Sequence, residues 1–194
     1  AQISATALEG ASNQEAGGNI TINANNLDIS GKLGIFAETA GESPAGTLTL
    51  NPSKNNPNLT IEFTDKGFIS ARTTSTGSGG KIEISAPANI PITGDGKISV
   101  ETPGSGDAGI INIETKNLTI AENTKISAST SDSGKGGEIK INSSETFQLQ
   151  GQILTETTGT GDGGIINIEA GEMTAPNSTI SAKSTGAGNA GTID

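Results

Sequence analysis

Cysteine and histidine are both absent from the 194 residues, and so are tryptophan and tyrosine. Without cysteine, neither a disulfide framework nor a thiolate metal site can form. Without histidine, Ser-His-Asp triads, imidazole acid-base catalysis and His metal sites are excluded. Aromatic residues make up 2% of the chain and hydrophobic residues 31%, which is poor material for a rounded core but enough for a thin, elongated one. Basic residues are also scarce. Eleven Lys and Arg against 21 Asp and Glu leave a net charge of -10, and such a chain repels nucleic acid and anionic membranes. No stretch approaches the roughly 20 apolar residues of a membrane span, so no membrane insertion is expected. Residues 1–10 carry neither the basic start nor the apolar run of a signal peptide, so export would depend on a signal outside this chain.

What is present is a phrase. From Gly109 to Ser133 the chain reads G-I-I-N-I-E, N-L-T-I, K-I-S-A-S-T and then a run of small polar residues. Successive strand side chains point to opposite faces, so Ile111 and Ile113, Leu118 and Ile120, and Ile126 and Ala128 fall on inward faces of three short strands. A single copy cannot bury such faces; stacked copies can. The third segment recurs with its first inward residue at Ile3, Ile35, Ile69, Ile98, Ile126, Ile153 and Ile180, at spacings of 32, 34, 29, 28, 27 and 27 residues. First strands carry Ile82 and Ile84, Ile111 and Ile113, Ile139 and Ile141, and Ile166 and Ile168. Second strands carry Ile90 and Ile92, Leu118 and Ile120, Phe147 and Leu149, and the weaker pair Met173 and Ala175.

Three short strands per turn of 27–34 residues, at constant phase, predict an all-β parallel β-helix of about six turns, right-handed by the crossover preference. At ~4.8 Å per rung it forms a rod on the order of 30 Å long. Disorder would not hold the register, an apolar spacing of two is not helical, and an antiparallel sandwich would not need the same phrase to recur. The whole of residues 1–194 reads as one domain. After a strand from Ile3 to Thr6, a loop rich in Gly, Asn and Glu is expected to lead to Gly17 and Gly18. The second turn carries an insertion at residues 51–58, where two prolines and four asparagines oppose strand pairing and favour an exposed loop.

Three places invite a chemical reading. Outward third-strand positions hold Thr6, Glu38, Arg72, Glu101, Ser129, Glu156 and Lys183, and Glu38, Arg72 and Glu101 fall on successive turns, the layout of a carboxylate groove with a basic partner or of a plain charge ladder. The turns Gly106-Asp107-Ala108-Gly109 and Gly161-Asp162-Gly163-Gly164 have the flavour of calcium-binding repeats, but other copies place Ser78 or Lys135 where the ligand would be. An outward row of Ser4, Ser70, Ser99, Ser127 and Ser181 is expected to be exposed and structural. No catalytic, cofactor-binding or metal-ligating residue is assigned, and no cofactor.

The phrases from Lys125 to Asn142 (K-I-S-A-S-T-S-D-S-G-K-G-G-E-I-K-I-N) and from Thr179 to Ile193 (T-I-S-A-K-S-T-G-A-G-N-A-G-T-I) resemble the repeats of filamentous haemagglutinin-like exoproteins, especially the cyanobacterial members of the two-partner secretion group. The resemblance spans essentially all 194 residues, although the Asn-rich secretion domain of that family is not found in them. It implies a right-handed β-helical stalk, secreted or at the cell surface, exported through an outer-membrane partner barrel and serving adhesion, aggregation or surface structure. On that view the chain is a fragment of a longer repeat protein, and its partners are surface glycans, cells or further copies of itself end to end. A polysaccharide-processing β-helix enzyme and a self-assembling fibre subunit are the alternatives.

Overall fold

The computed structural model describes residues 2–7, 17–31 and 34–194; apart from Ala7, the loop expected between Thr6 and Gly17 lies outside them. Among the described residues there is no helix, and every strand pairing is parallel. The chain winds as a β-solenoid of about six turns. Each rung pairs with its counterpart one turn later, as the recurring phrase demands.

Three columns of strands result. The first runs through Ile20–Asn23, Thr47–Asn51 and Lys81–Ser85, then the leading halves of Ile110–Ile120, Glu138–Leu149 and Ile165–Thr174, and ends at Thr192–Ile193. The second joins Asn26–Ser30 to the leading halves of Thr60–Ser70 and Asn89–Ser99, then to the trailing halves of the three long strands above. The third stacks Ile3–Ser4, Gly34–Phe36, the trailing halves of Thr60–Ser70 and Asn89–Ser99, Thr124–Ser127, Gln152–Leu154 and Thr179–Ser181.

The seven isoleucines of the third segment form one column, Ile3 on Ile35 on Ile69 on Ile98 on Ile126 on Ile153 on Ile180. Its members from Ile35 to Ile153 are buried and belong to a single apolar core running the length of the coil. Burial of each isoleucine contributes roughly 1.5–3 kcal/mol. Ile and Leu make up most of this core, which is how 31% hydrophobic residues suffice.

Met173 and Ala175 depart from their expected inward role: both are exposed. Met173 pairs with Phe147 on one side, and among the described residues no strand pairs with its other side. The insertion begins and ends in pairing, with Asn51 aligned on Asn23 and Asn58 bridged to Asn89. Between them Lys54, Asn55 and Pro57 are exposed, while Ser53 is tethered through its N–H and hydroxyl to Asn25 Oδ1.

Two devices close most turns. Thr39, Thr73, Thr102 and Thr157, the last residue of each copy of the third segment, are buried and donate Oγ1–H to a carbonyl five residues later: Pro44, Ser78, Asp107 and Asp162 respectively. A glycine then leads into the next first strand, and the N–H groups of Gly46, Gly80, Gly109, Gly137, Gly164 and Gly191 bond back to Ala37, Ala71, Val100, Ala128, Thr155 and Ala182. These four loops are thus pinned at both feet, whereas Thr130 Oγ1 reaches back to the Gly104 carbonyl of the preceding turn at 3.5 Å.

One inward hydroxyl is left without a partner. Thr155 stands where other turns place Ala71, Val100 and Ala128; it is fully buried, and its Oγ1 has no hydrogen-bond partner. An unpaired buried hydroxyl costs on the order of 1–3 kcal/mol. Thr155→Val should therefore raise stability by about 1 kcal/mol, since Val100 shows that the row accommodates this shape. A urea midpoint equal to or below that of the parent chain would contradict the assignment.

Candidate functional site

The outward side of the third column is a groove. Its floor is the row Phe36, Ser70, Ser99, Ser127 and Leu154, aligned rung by rung. Along one side run Phe68, Lys97, Lys125 and Gln152. Along the other run Glu38, Arg72, Glu101, Ser129, Glu156 and Lys183, whose order follows the neighbouring backbone bonds Thr39 to Arg72, Thr102 to Ser129, Thr130 to Glu156 and Thr157 to Lys183. Two depressions, of about 340 and about 260 Å³, lie along it and share Arg72 and Glu101 as common lining.

Small residues on the floor make the concavity, and this corrects the expectation of exposure for three members of the serine row, while Ser4 is exposed as expected. Ser70, Ser99 and Ser127 point outward but are almost wholly buried, Ser127 completely. Longer side chains from both walls lie over them, and their hydroxyls are put to use. Glu38 Oε1 accepts from Ser70 Oγ at 3.0 Å, Glu101 Oε1 from Ser127 Oγ, and Glu156 Oε1 from Ser181 Oγ at 2.7 Å. The same Glu-on-Ser arrangement therefore occurs on every second turn.

Each of these carboxylates also holds a cation. Arg72 Nε donates to Glu38 Oε1 at 2.9 Å, Lys97 pairs with Glu101 Oε2 from the same turn, and Lys183 sits 3.3 Å from Glu156 Oε1. The trio Glu38, Arg72 and Glu101 does line one groove, as the spacing suggested, but Arg72 bridges only to Glu38. Such partly exposed pairs contribute between zero and about 1 kcal/mol each. Glu38 and Glu156 use Oε1 for both partners, and among the described residues Oε2 of each has none. A carboxylate has room for about four donors, so both keep outward acceptor capacity.

Two of the four phenylalanines line the groove and were not anticipated there. Phe36 and Phe68 are half-buried at the end nearest Gln2, whereas Phe63 and Phe147 fill the core. The signal was available: each stands one residue from an inward isoleucine, Ile35 or Ile69, and strand alternation sends it outward. Lys125, also in the groove, has no ion pair among the described residues. The groove thus gathers aromatic faces, hydroxyls, carboxylate acceptors and cationic donors in an open, linear trough. That combination suits a ligand with many hydroxyls and an apolar C–H face, since aromatic rings offer flat apolar area beside polar partners.

The Gly-Asp turns serve the fold. Asp107 Oδ1 accepts the Lys135 N–H of the next turn at 2.7 Å, and Asp162 Oδ1 accepts the Asn189 N–H at 2.8 Å and its side-chain amide at 3.0 Å. Among the described residues no group of three or more acidic side chains is placed to hold a metal ion. The Asn189 backbone N–H, then its amide, hold the Asp162 carboxyl below the usual carboxylate range, with a smaller pull from Lys135. A carboxyl depressed on folding stabilises above its unfolded pKa, about 3.9, and that contribution fades as pH falls through the folded value. Asp162→Ala should therefore lower the urea midpoint at neutral pH, and the gap to the parent chain should narrow near pH 3. An equal gap at both pH values would show that the charge is irrelevant.

A second ladder marks the corner between the first and second columns. Asn89 Nδ2 donates to Asn58 Oδ1 at 2.6 Å and Asn117 Nδ2 to Asn89 Oδ1 at 3.1 Å, while Thr146 Oγ1 caps Asn117 Oδ1 at 2.7 Å. These amides satisfy one another and hold the corner in register. No protein-family model, curated protein or solved structure matches the chain.

Proposed function

We propose that this chain is a non-catalytic β-helical stalk segment of a secreted or cell-surface protein, with the groove as its adhesive side. The observation that carries the reading is the engagement of every groove carboxylate, each by a cation and by a serine hydroxyl of the next turn. Glycoside hydrolysis needs two carboxyl groups free to act on the scissile bond, one as acid and one as base or nucleophile. These three are fixed as acceptors in a scaffold. The surface location and export through an outer-membrane barrel follow from the resemblance of the repeats to filamentous haemagglutinin-like exoproteins, and belong to the same proposal.

The rival reading, a polysaccharide-processing enzyme, draws on one feature. Glu38 and Glu101 lie two rungs apart, roughly 9.6 Å by rung spacing, near the upper end of the ~6.5–9.5 Å separation in inverting glycosidases. Prolonged incubation of the purified chain with neutral and acidic polysaccharides decides between them. The proposal expects no new reducing ends and no unsaturated uronate. Product formation that disappears in Glu101→Gln would establish the enzyme instead.

A further inference from the structure

We infer that the groove takes a neutral, extended β-linked polysaccharide lying along the rod axis, and reads it in steps of two sugars. The inference rests on the non-catalytic adhesive reading and adds the ligand class and its register. Three Glu-on-Ser stations, Glu38 with Ser70, Glu101 with Ser127 and Glu156 with Ser181, recur on alternate turns in one line; Glu101 differs from the other two in engaging both carboxylate oxygens. Two rungs span roughly 9.6 Å, about the length of a disaccharide in an extended chain. In such a chain alternate pyranose rings present the same hydroxyls to the same side, so each station meets an equivalent edge. The turns between carry Arg72, Ser129 and Lys183, which provide the donors that alternate rings require.

Charge disfavours a polyanion. Within the groove Glu38 balances Arg72, Glu101 balances Lys97 and Glu156 balances Lys183, and Lys125 is left as a single cation with no ion pair among the described residues. Beyond it the molecule carries a net charge of -10, which opposes the approach of a polyuronate. Carboxylate oxygens with open lone pairs accept sugar hydroxyls, and Phe36 and Phe68 offer ring-sized apolar faces at one end of the trough. Small serines on the floor leave depth for a flat chain at the first two stations, and Leu154 raises the floor between Ser127 and Ser181.

Isothermal titration of the intact chain with cello-, manno- and xylo-oligosaccharides, from disaccharide to hexasaccharide, tests this directly. Maltohexaose serves as a neutral but coiled control, and oligogalacturonide as an extended acidic one. Affinity for at least one neutral extended series should rise by disaccharide increments and exceed that for both controls. Phe68→Ala and Glu101→Gln should each weaken it at least about tenfold, while Lys140→Ala, on another face, leaves it unchanged; circular dichroism melts confirm that all variants fold. Failure of every neutral hexasaccharide to bind at millimolar concentration, preference for the oligogalacturonide, or unchanged affinity in both groove variants would each overturn the inference. Cleavage of a bound oligosaccharide would overturn only the non-catalytic reading, leaving the ligand class and register in place.

Discussion

Gly109→Ala is expected to destabilise the chain by roughly 3 kcal/mol or more, although it adds a single methyl group. A Cβ at this position would lie 2.0 Å from the Gly80 carbonyl oxygen and 2.8 Å from the Gly79 carbonyl carbon, both backbone atoms of the preceding turn. Relief by a rotamer change is ruled out, because neither obstacle is a side chain. Nor can the loop retreat, since Gly109 N–H is bonded to Val100 O and Gly109 O accepts the Glu138 N–H of the turn after. The crowding is a property of the column: Gly80, Gly137, Gly164 and Gly191 each meet a glycine carbonyl of the turn before at 2.0–2.1 Å. Gly31 provides the contrast. Its φ of +72° disfavours a side chain, but a Cβ there would meet nothing within 4 Å, so Gly31→Ala should cost only about 1 kcal/mol. Urea denaturation of the two variants checks the difference, and equal losses would mean that the close stacking of turns is wrong.

Ile126→Asp is expected to cost at least about 4 kcal/mol. Ile126 is fully buried between Ile98 and Ile153, midway along the column, and among the described residues no buried side chain is charged. A carboxylate there has no cation to meet, and the rungs above and below prevent it from turning to water. The proper control is not the adjacent Ser127, which is also buried and bonded to Glu101. Gln148, exposed between the inward pair Phe147 and Leu149, is suitable. Gln148→Asp should shift the urea midpoint by no more than about 1 kcal/mol. Comparable losses at both sites would contradict the inward assignment.

The sequence was most legible where a single period governed it. Alternation of two placed Ile82, Ile84, Ile111, Ile113, Ile139 and Ile141 inward, and recurrence of the phrase aligned them; all six are buried in paired strands. It was less legible where burial depends on neighbours in the next turn. Ser127 has outward parity yet no exposure, because small side chains on a concave face disappear beneath Lys97 and Glu101, and parity alone carries no information about curvature. The buried threonines Thr39, Thr73, Thr102 and Thr157 ended the very phrase used to find the repeat. Their role was hidden because a hydroxyl bond to a carbonyl five residues on reflects the loop's shape, which strand periodicity does not specify. The groove was partly visible. Outward Glu38, Arg72 and Glu101 were expected to share a face, and they do; the choice of Lys97 over Arg72 as partner to Glu101 depends on side-chain reach within one turn.

Methyl-resolved nuclear Overhauser spectroscopy on isoleucine-labelled protein tests the central claim most directly, that the rungs stack with their isoleucines in one interior column. The account predicts an unbroken series of δ1-methyl contacts linking Ile69, Ile98, Ile126, Ile153 and Ile180 in that order. Absence of contacts from Ile126 to both Ile98 and Ile153, in a folded sample, would contradict it.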